Sequence, residues 1–138
     1  GHPGMTFGIH ICRGNHKSMF YASGGYDRIA AHVFQRTRFD RYLLEYDDER
    51  SGTFEPLRFV PKGKQVVLGL VTSKFGRLES KDELKRRIDE AARFVPLEQL
   101  CLSPQCGFSS TEEGNALSLD EQKAKLALVT ETAREVWN

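Results

Sequence analysis

Several features are scarce or missing in this chain of 138 residues. It has no run of about 18 apolar residues and no charged start leading into an apolar stretch, so neither a membrane span nor a signal peptide is expected. A cytoplasmic location follows as the expectation. An excess of one charge sign is missing too: 20 basic residues face 19 acidic ones, interspersed, for a net charge of +1. That balance leaves no electrostatic footprint for nucleic acid or an anionic membrane, and a small neutral or zwitterionic partner fits better. Cysteine is sparse and odd in number at three, which excludes a disulfide framework and leaves thiolate chemistry or metal ligation. Linkers and low-complexity stretches are absent, so one domain over residues 1–138 is expected. The start, Gly1 to Gly4, has the look of a cloning remnant, and His2 therefore carries no weight.

What is present is an alternation. Four times a short β-rich run precedes a stretch of helical character, the pattern of an α/β protein with a parallel sheet and crossover helices. The first strand is expected over Thr6 to Cys12, followed after Gly24-Gly25 by a helix with Tyr26, Ile29, Val33 and Phe34 on one face, ending near Thr37. The second strand, Arg41 to Tyr46, leads into a segment with Pro56 and Pro61 whose helix should be short or irregular. Gln65 to Val71 is nearly all apolar, as a strand buried on both faces should be. It leads to a capping box, Ser80-Lys81-Asp82-Glu83, with Leu84, Ile88, Ala91 and Val95 as the inward stripe. The last unit has a strand over Leu97 to Leu102 and a long loop from Gly107 to Leu117 containing Ser109, Ser110, Gly114 and Asn115. It ends with a second box, Ser118-Leu119-Asp120-Glu121, and a helix facing inward with Gln122, Leu126, Val129, Ala133 and Val136. Four such units make half of a (β/α)8 TIM-type barrel. Alone, that half leaves two parallel strand edges unpaired, so a second copy or a missing barrel half should complete it.

In parallel α/β sheets functional groups collect at the carboxyl ends of the strands. There the chain has His10, Cys12, Glu45, Lys74 and Cys106. Residues i and i+2 of a strand point the same way, so His10 and Cys12 can grip one ion. Glu45 follows the apolar run Tyr42-Leu43-Leu44, where an ionised carboxylate is costly unless paired or metal-bound. Two thiolates, an imidazole and a carboxylate form a ligand set that favours Zn²⁺ over hard cations. A duller reading stands beside this one: strand cysteines are commonly small buried hydrophobes, and histidines near strand ends are commonly hydrogen-bonded rim residues. Cys101, in the body of the fourth strand, reads as a core thiol, and His16 and His32 as loop and helix-surface residues.

The motifs His10-Ile-Cys12-Arg-Gly-Asn15, Gly24-Gly25-Tyr26, Leu44-Glu45, Gly69-Leu-Val-Thr-Ser-Lys74, Leu78-Glu79-Ser80 and Leu102-Ser-Pro-Gln-Cys106-Gly-Phe108, with the helix ending at Trp137, cover nearly the whole chain. Together they resemble the C-terminal catalytic half of the cobalamin-independent methionine synthases, especially their short relatives. The resemblance implies a (β/α)8 barrel and one Zn²⁺ held by His10, Cys12, Glu45 and Cys106. It also implies methyl transfer to a thiol, that of homocysteine, with Glu45 as the ligand that yields to the incoming sulfur. Arg13 and Asn15, beside the metal motif, are candidates for orienting substrate. One departure stands out: the family's catalytic histidine lies where this chain has Lys74. Lys74 and Glu79 are thus the candidate catalytic residues, with Lys74 either a cation for an anionic substrate group or simply the partner of Glu79. The family's amino-acid-binding carboxylates belong to the earlier barrel half, and the methyl donor, whether a folate, a corrinoid or another methylated compound, is not specified here. Two alternatives are a zinc-dependent alkyltransferase acting on another thiol, such as coenzyme M, and a non-catalytic zinc-binding assembly module.

Overall fold

The computed structural model describes residues 3–19, 21–109 and 112–138; Gly1, His2 and Ser110 fall outside them. Four parallel strands form one sheet in the order β1 (Gly8–Ile11), β2 (Arg41–Glu45), β3 (Gln65–Val71) and β4 (Leu100–Pro104). Each strand pairs with its successor in sequence. With right-handed crossovers, that monotonic order sends every connection over the same face, the winding of a barrel rather than of a doubly wound sheet. The helices are α1 (Ala30–Arg36), α2 (Lys81–Ala92) and α3 (Leu119–Trp137). Between β2 and β3 two 3₁₀ turns, Glu49–Ser51 and Glu55–Phe59, stand in place of a helix, with Pro56 opening the second.

The two faces of the sheet differ. Tyr42, Val66 and Leu100 form one row across it, and Leu44 and Leu68 the next; all are buried against Phe34, Leu57, Leu84 and Ile88. On the opposite face the rows are His10, Leu43, Val67 and Cys101, then Glu45, Gly69 and Ser103. The first of these rows is half open to solvent. Cys101 therefore belongs to the open face and not to the helix-side core, although burial still raises its thiol pKa. Among the described residues no helix is long and apolar enough to cross a membrane.

Local expectations met different fates. Leu84, Ile88, Ala91 and Val95 are all buried, and the Ser80 hydroxyl accepts the Glu83 N–H at 3.1 Å. At Ser118 both halves of the capping box are made. β1 is shorter than Thr6 to Cys12, so Cys12 lies just past its end. β4 begins at Leu100 rather than Leu97, because Pro96 starts a 3₁₀ turn over Leu97–Gln99, closed by Gln99 N–H on Pro96 O. In the first unit the buried stripe is Tyr26, Ala30 and Phe34, with Ile29 turned outward. A second long connection, residues 12–29, joins β1 to α1 and was not anticipated.

The clearest correction is α3. Its buried positions are Lys125, Leu128 and Thr132, whereas Leu126 is 44% exposed. Val129 and Val136 pack against the core as expected, but apolar spacing missed the most buried positions because two of those three are polar. Lys125, fully buried, donates to both oxygens of Glu79, at 3.0 and 3.2 Å, and to Arg77 O at 2.7 Å. Removing one partner of such a pair strands the other's charge, at a cost of about 3–5 kcal/mol. Urea denaturation of Lys125→Ala should show a loss of that order, while Lys123→Ala, at the exposed pair with Asp120, should stay within about 0.5 kcal/mol of the parent. Equal effects at the two positions would remove Lys125 as a structural strut.

Candidate metal centre

The parallel sheet sends the ends of β1, β2 and β4 to one rim. His10 is on β1 and Cys12 follows its end, Glu45 closes β2, and Cys106 comes two residues after β4. One donor atom from each of these four residues lies within 4.8 Å of all the others. Cys12 Sγ and Cys106 Sγ are 3.3 Å apart, Cys106 Sγ is 2.5 Å from Glu45 Oε1, and His10 Nε2 is 3.5 Å from the same oxygen. Around a tetrahedral Zn²⁺, with Zn–S of about 2.3 Å, two sulfurs stand roughly 3.8 Å apart, so the four donors span the space of one ion.

Convergence over β3 needs an explanation, since that strand lies between the ones carrying Glu45 and Cys106. Gly69 supplies it. It pairs with Glu45 on one side and Ser103 on the other, and a Cβ there would stand 2.9 Å from Leu44 O and 3.4 Å from Gln105 Cα. The register of β3 against β4 then shifts between Gly69 and Val71. A glycine inside an otherwise apolar strand is the one trace of this close approach in the sequence.

Glu45 is 1% exposed and held from several directions. Arg13 N–H donates to its Oε2 at 3.2 Å, and Arg13 Nη1 donates to its backbone carbonyl at 2.9 Å. The Tyr26 hydroxyl accepts the Glu45 N–H at 2.8 Å and an Arg13 N–H at 3.0 Å, and the Arg13 guanidinium also lies 4.4 Å over the Tyr26 ring. Burial would raise the Glu45 carboxyl, but hydrogen bonds from His10, Cys106, Cys12 and Arg13 outweigh it and bring the pKa down to about 2. Burial, followed by the Glu45 carboxylate and Cys12, pushes the Cys106 thiol far above its ordinary range. A divalent cation among these atoms reverses the effect on Cys106, because a coordinating thiol is deprotonated outright. The cluster has the donors and the negative charge to take one.

The remaining candidates fall in different places. Arg13 spends its donors on Gly24 O, Tyr26 and Glu45, which makes it a brace of Glu45. Asn15 is buried in the loop after β1. Lys74 does not pair with Glu79: its ammonium bonds Asp47 at 3.1 Å and Gln105, while Glu79 takes Lys125 and the Thr72 N–H. Pairing with Glu79, one of the two readings open for Lys74, fails because Lys125, on a helix distant in sequence, occupies that carboxylate. His16 is a loop residue 3.9 Å from Glu113, and His32 is on the exposed face of α1. Tyr26, Asp47 and Gln105 were missed, and only the position of each beside a ligand or glycine motif could have marked them.

Residues 9–134 match the family described as "Cobalamin-independent synthase, Catalytic domain". The Bacillus subtilis proteins YxjH and YxjG are 58% and 59% identical over 134 residues, covering 96% of this chain and 36% and 35% of their own lengths. A methionine synthase of Pyrococcus abyssi is 28% identical over 105 residues, 75% of this chain and 27% of that protein. Among solved structures, a Listeria monocytogenes protein described as a vitamin-B12-independent methionine synthase superposes with a TM-score of 0.73 at 36% identity, over 99% of this chain and 36% of that one. A B12-independent methionine synthase from Shewanella sp. W3-18-1, solved with selenomethionine, gives 0.75 at 22% identity, over 97% and 40%, and shows likeness of fold. The chain thus spans about a third of the length of the curated relatives YxjH and YxjG.

Gly69→Ala should bring its new methyl against the main chain of β2 and β4 and cost about 1–3 kcal/mol. The same change should weaken retention of zinc during dialysis against a chelator, measured by elemental analysis. Unaltered retention would show that the bare end of β3 does not control convergence.

Proposed function

The chain belongs to the cobalamin-independent synthase catalytic-domain family, and from that premise we propose that it is the metal-holding part of a zinc-dependent methyltransferase that passes a methyl group to the thiol of homocysteine. One observation carries the reading: His10, Cys12, Glu45 and Cys106 bring soft and borderline donors together at the carboxyl rim of a parallel sheet. A Zn²⁺ held there would keep a substrate thiol ionised at neutral pH, where a free thiol of pKa about 8.5 is mostly protonated.

The chain's own residues set the conditions for that chemistry. His10 and Cys12 are exposed and Glu45 is buried, so a thiol would approach from the β1 side while the carboxylate stays at the back. Glu45 is the ligand that would yield. Its Oε2 keeps the Arg13 N–H and its main chain keeps Tyr26, so the residue stays anchored when Oε1 moves away. The amino and carboxylate groups of an amino-acid substrate would be held by the rest of the barrel. That assignment is supported by the share of the relatives that this chain spans and by its sheet, in which β1 and β4 each pair on one side only.

Four protein donors are also the count of a closed structural zinc site, which favours the assembly-module reading as runner-up. The full-length protein loaded with Co²⁺ and titrated with homocysteine separates the two. A change in the d–d and thiolate charge-transfer bands is expected, and an unchanged spectrum would assign the ion a purely structural part. Coenzyme M in the same titration tests the related alkyltransferase reading, which predicts the larger change with that thiol. Zinc content should be about one per chain and fall to near zero in Cys12→Ser and Cys106→Ser, since loss of a thiolate removes a ligand outright.

A further inference from the structure

The strand between the two that carry Glu45 and Cys106 sends no ligand to the rim. What β3 sends instead is Lys74, three residues past its last position. The Lys74 side chain is 3% exposed, and its ammonium donates to Asp47 Oδ2 at 3.1 Å and to Gln105 Oε1. Asp47, itself 4% exposed at its side chain, is the second residue after Glu45, and Gln105 is the residue before Cys106. The Lys74 backbone is fixed as well: its carbonyl accepts the Ser18 hydroxyl at 2.7 Å, and the same oxygen of Ser18 accepts the Ala116 N–H at 2.9 Å. One residue of β3's loop is thereby tied to the loops of β1, β2 and β4.

We propose that Lys74 is a positioning residue of the metal centre, its buried ammonium cross-linking the segments that carry Glu45 and Cys106 and so setting the span between those two ligands. The inference rests on the metal reading above. Bare Gly69 lets β2 and β4 approach over β3, and Lys74 holds them at that distance once they are there. A role as a cation for a substrate anion fits less well, because two of the three ammonium donors are already used inside the rim and the side chain is almost wholly enclosed.

The test uses the full-length protein with Zn²⁺ and Co²⁺ as probes. Lys74→Met should lower Zn²⁺ affinity about 10- to 100-fold in competition with a chromophoric chelator, the usual effect of losing an outer-shell partner. Its Co²⁺ charge-transfer bands should shift as well. Lys74→Arg, which keeps charge and donors, should recover part of both. Lys74→Met also leaves Asp47 buried without its partner, so Lys74→Met/Asp47→Leu is measured alongside: it should regain thermal stability without regaining affinity. Parental affinity and spectrum in that double variant would overturn the proposal and reduce Lys74 to charge balance. Unchanged metal binding in Lys74→Met with a raised KM for the methyl donor would overturn it in favour of a substrate contact. If the parent itself binds no zinc, the metal reading falls and takes this proposal with it, whereas a zinc-loaded parent with unaffected variants sinks this proposal alone.

Discussion

A carboxylate buried at the end of a parallel strand is the constraint on which the rim depends. An ionised Glu45 at 1% exposure would be prohibitive in an apolar setting, and it is tolerated because hydrogen bonds reach it from three directions. His10, Cys106 and Cys12 do most of that work, the Arg13 N–H adds a bond to the carboxylate, and Tyr26 and the Arg13 guanidinium hold the Glu45 main chain from the connection after β1. Their arrangement buries the end of that connection, where Tyr26 is 3% exposed after the exposed stretch 21–25. The connection brings a hydroxyl and a guanidinium to the end of β2, and α1 begins four residues after Tyr26.

The order of the strands then decides how ligands distant in sequence meet. Neighbouring strands in a sheet stand about 4.8 Å apart, so side chains from β2 and β4 start roughly two spacings from one another. Closing that gap is eased by a missing side chain at Gly69 and a shift of register between Gly69 and Val71. The same device would be pointless in a strand whose neighbours carried no shared task. In this respect the glycine belongs to the four-residue cluster as much as its donors do.

Much of this was legible in the sequence, for physical reasons that differ from residue to residue. The alternation of strand and helix gave the parallel sheet, because each element buries one face at its own period. His10, Cys12, Glu45 and Cys106 stood out because polar groups at strand ends in apolar surroundings need a reason to be there. Charge partners were not legible. Lys125 on α3 and Glu79 before α2 are joined only by the tertiary fold, and a helix face whose buried members are Lys125, Leu128 and Thr132 is poorly marked by counting apolar residues. The start of β4 was displaced for a local reason, the turn set by Pro96, which run-length reasoning overlooked.

The unequal faces of the sheet carry the argument one step further. Against the helices, Tyr42, Leu44, Val66, Leu68 and Leu100 are sealed at 2% exposure or less, a finished core. Across the sheet, Leu43, Val67 and Cys101 remain half open on the face that bears Glu45, and His10 and Cys12 stand in solvent beside them. Coulomb interactions of an ion at this rim scale inversely with the local dielectric constant, so the same four ligands hold charge more strongly once water is removed. A cover on this face, further chain or a second copy, would therefore do two things at once: pair the open strand edges and set the electrostatic strength with which the four donors hold an ion. The four candidate donors lie in this segment, and the dielectric around them depends on what meets the open face.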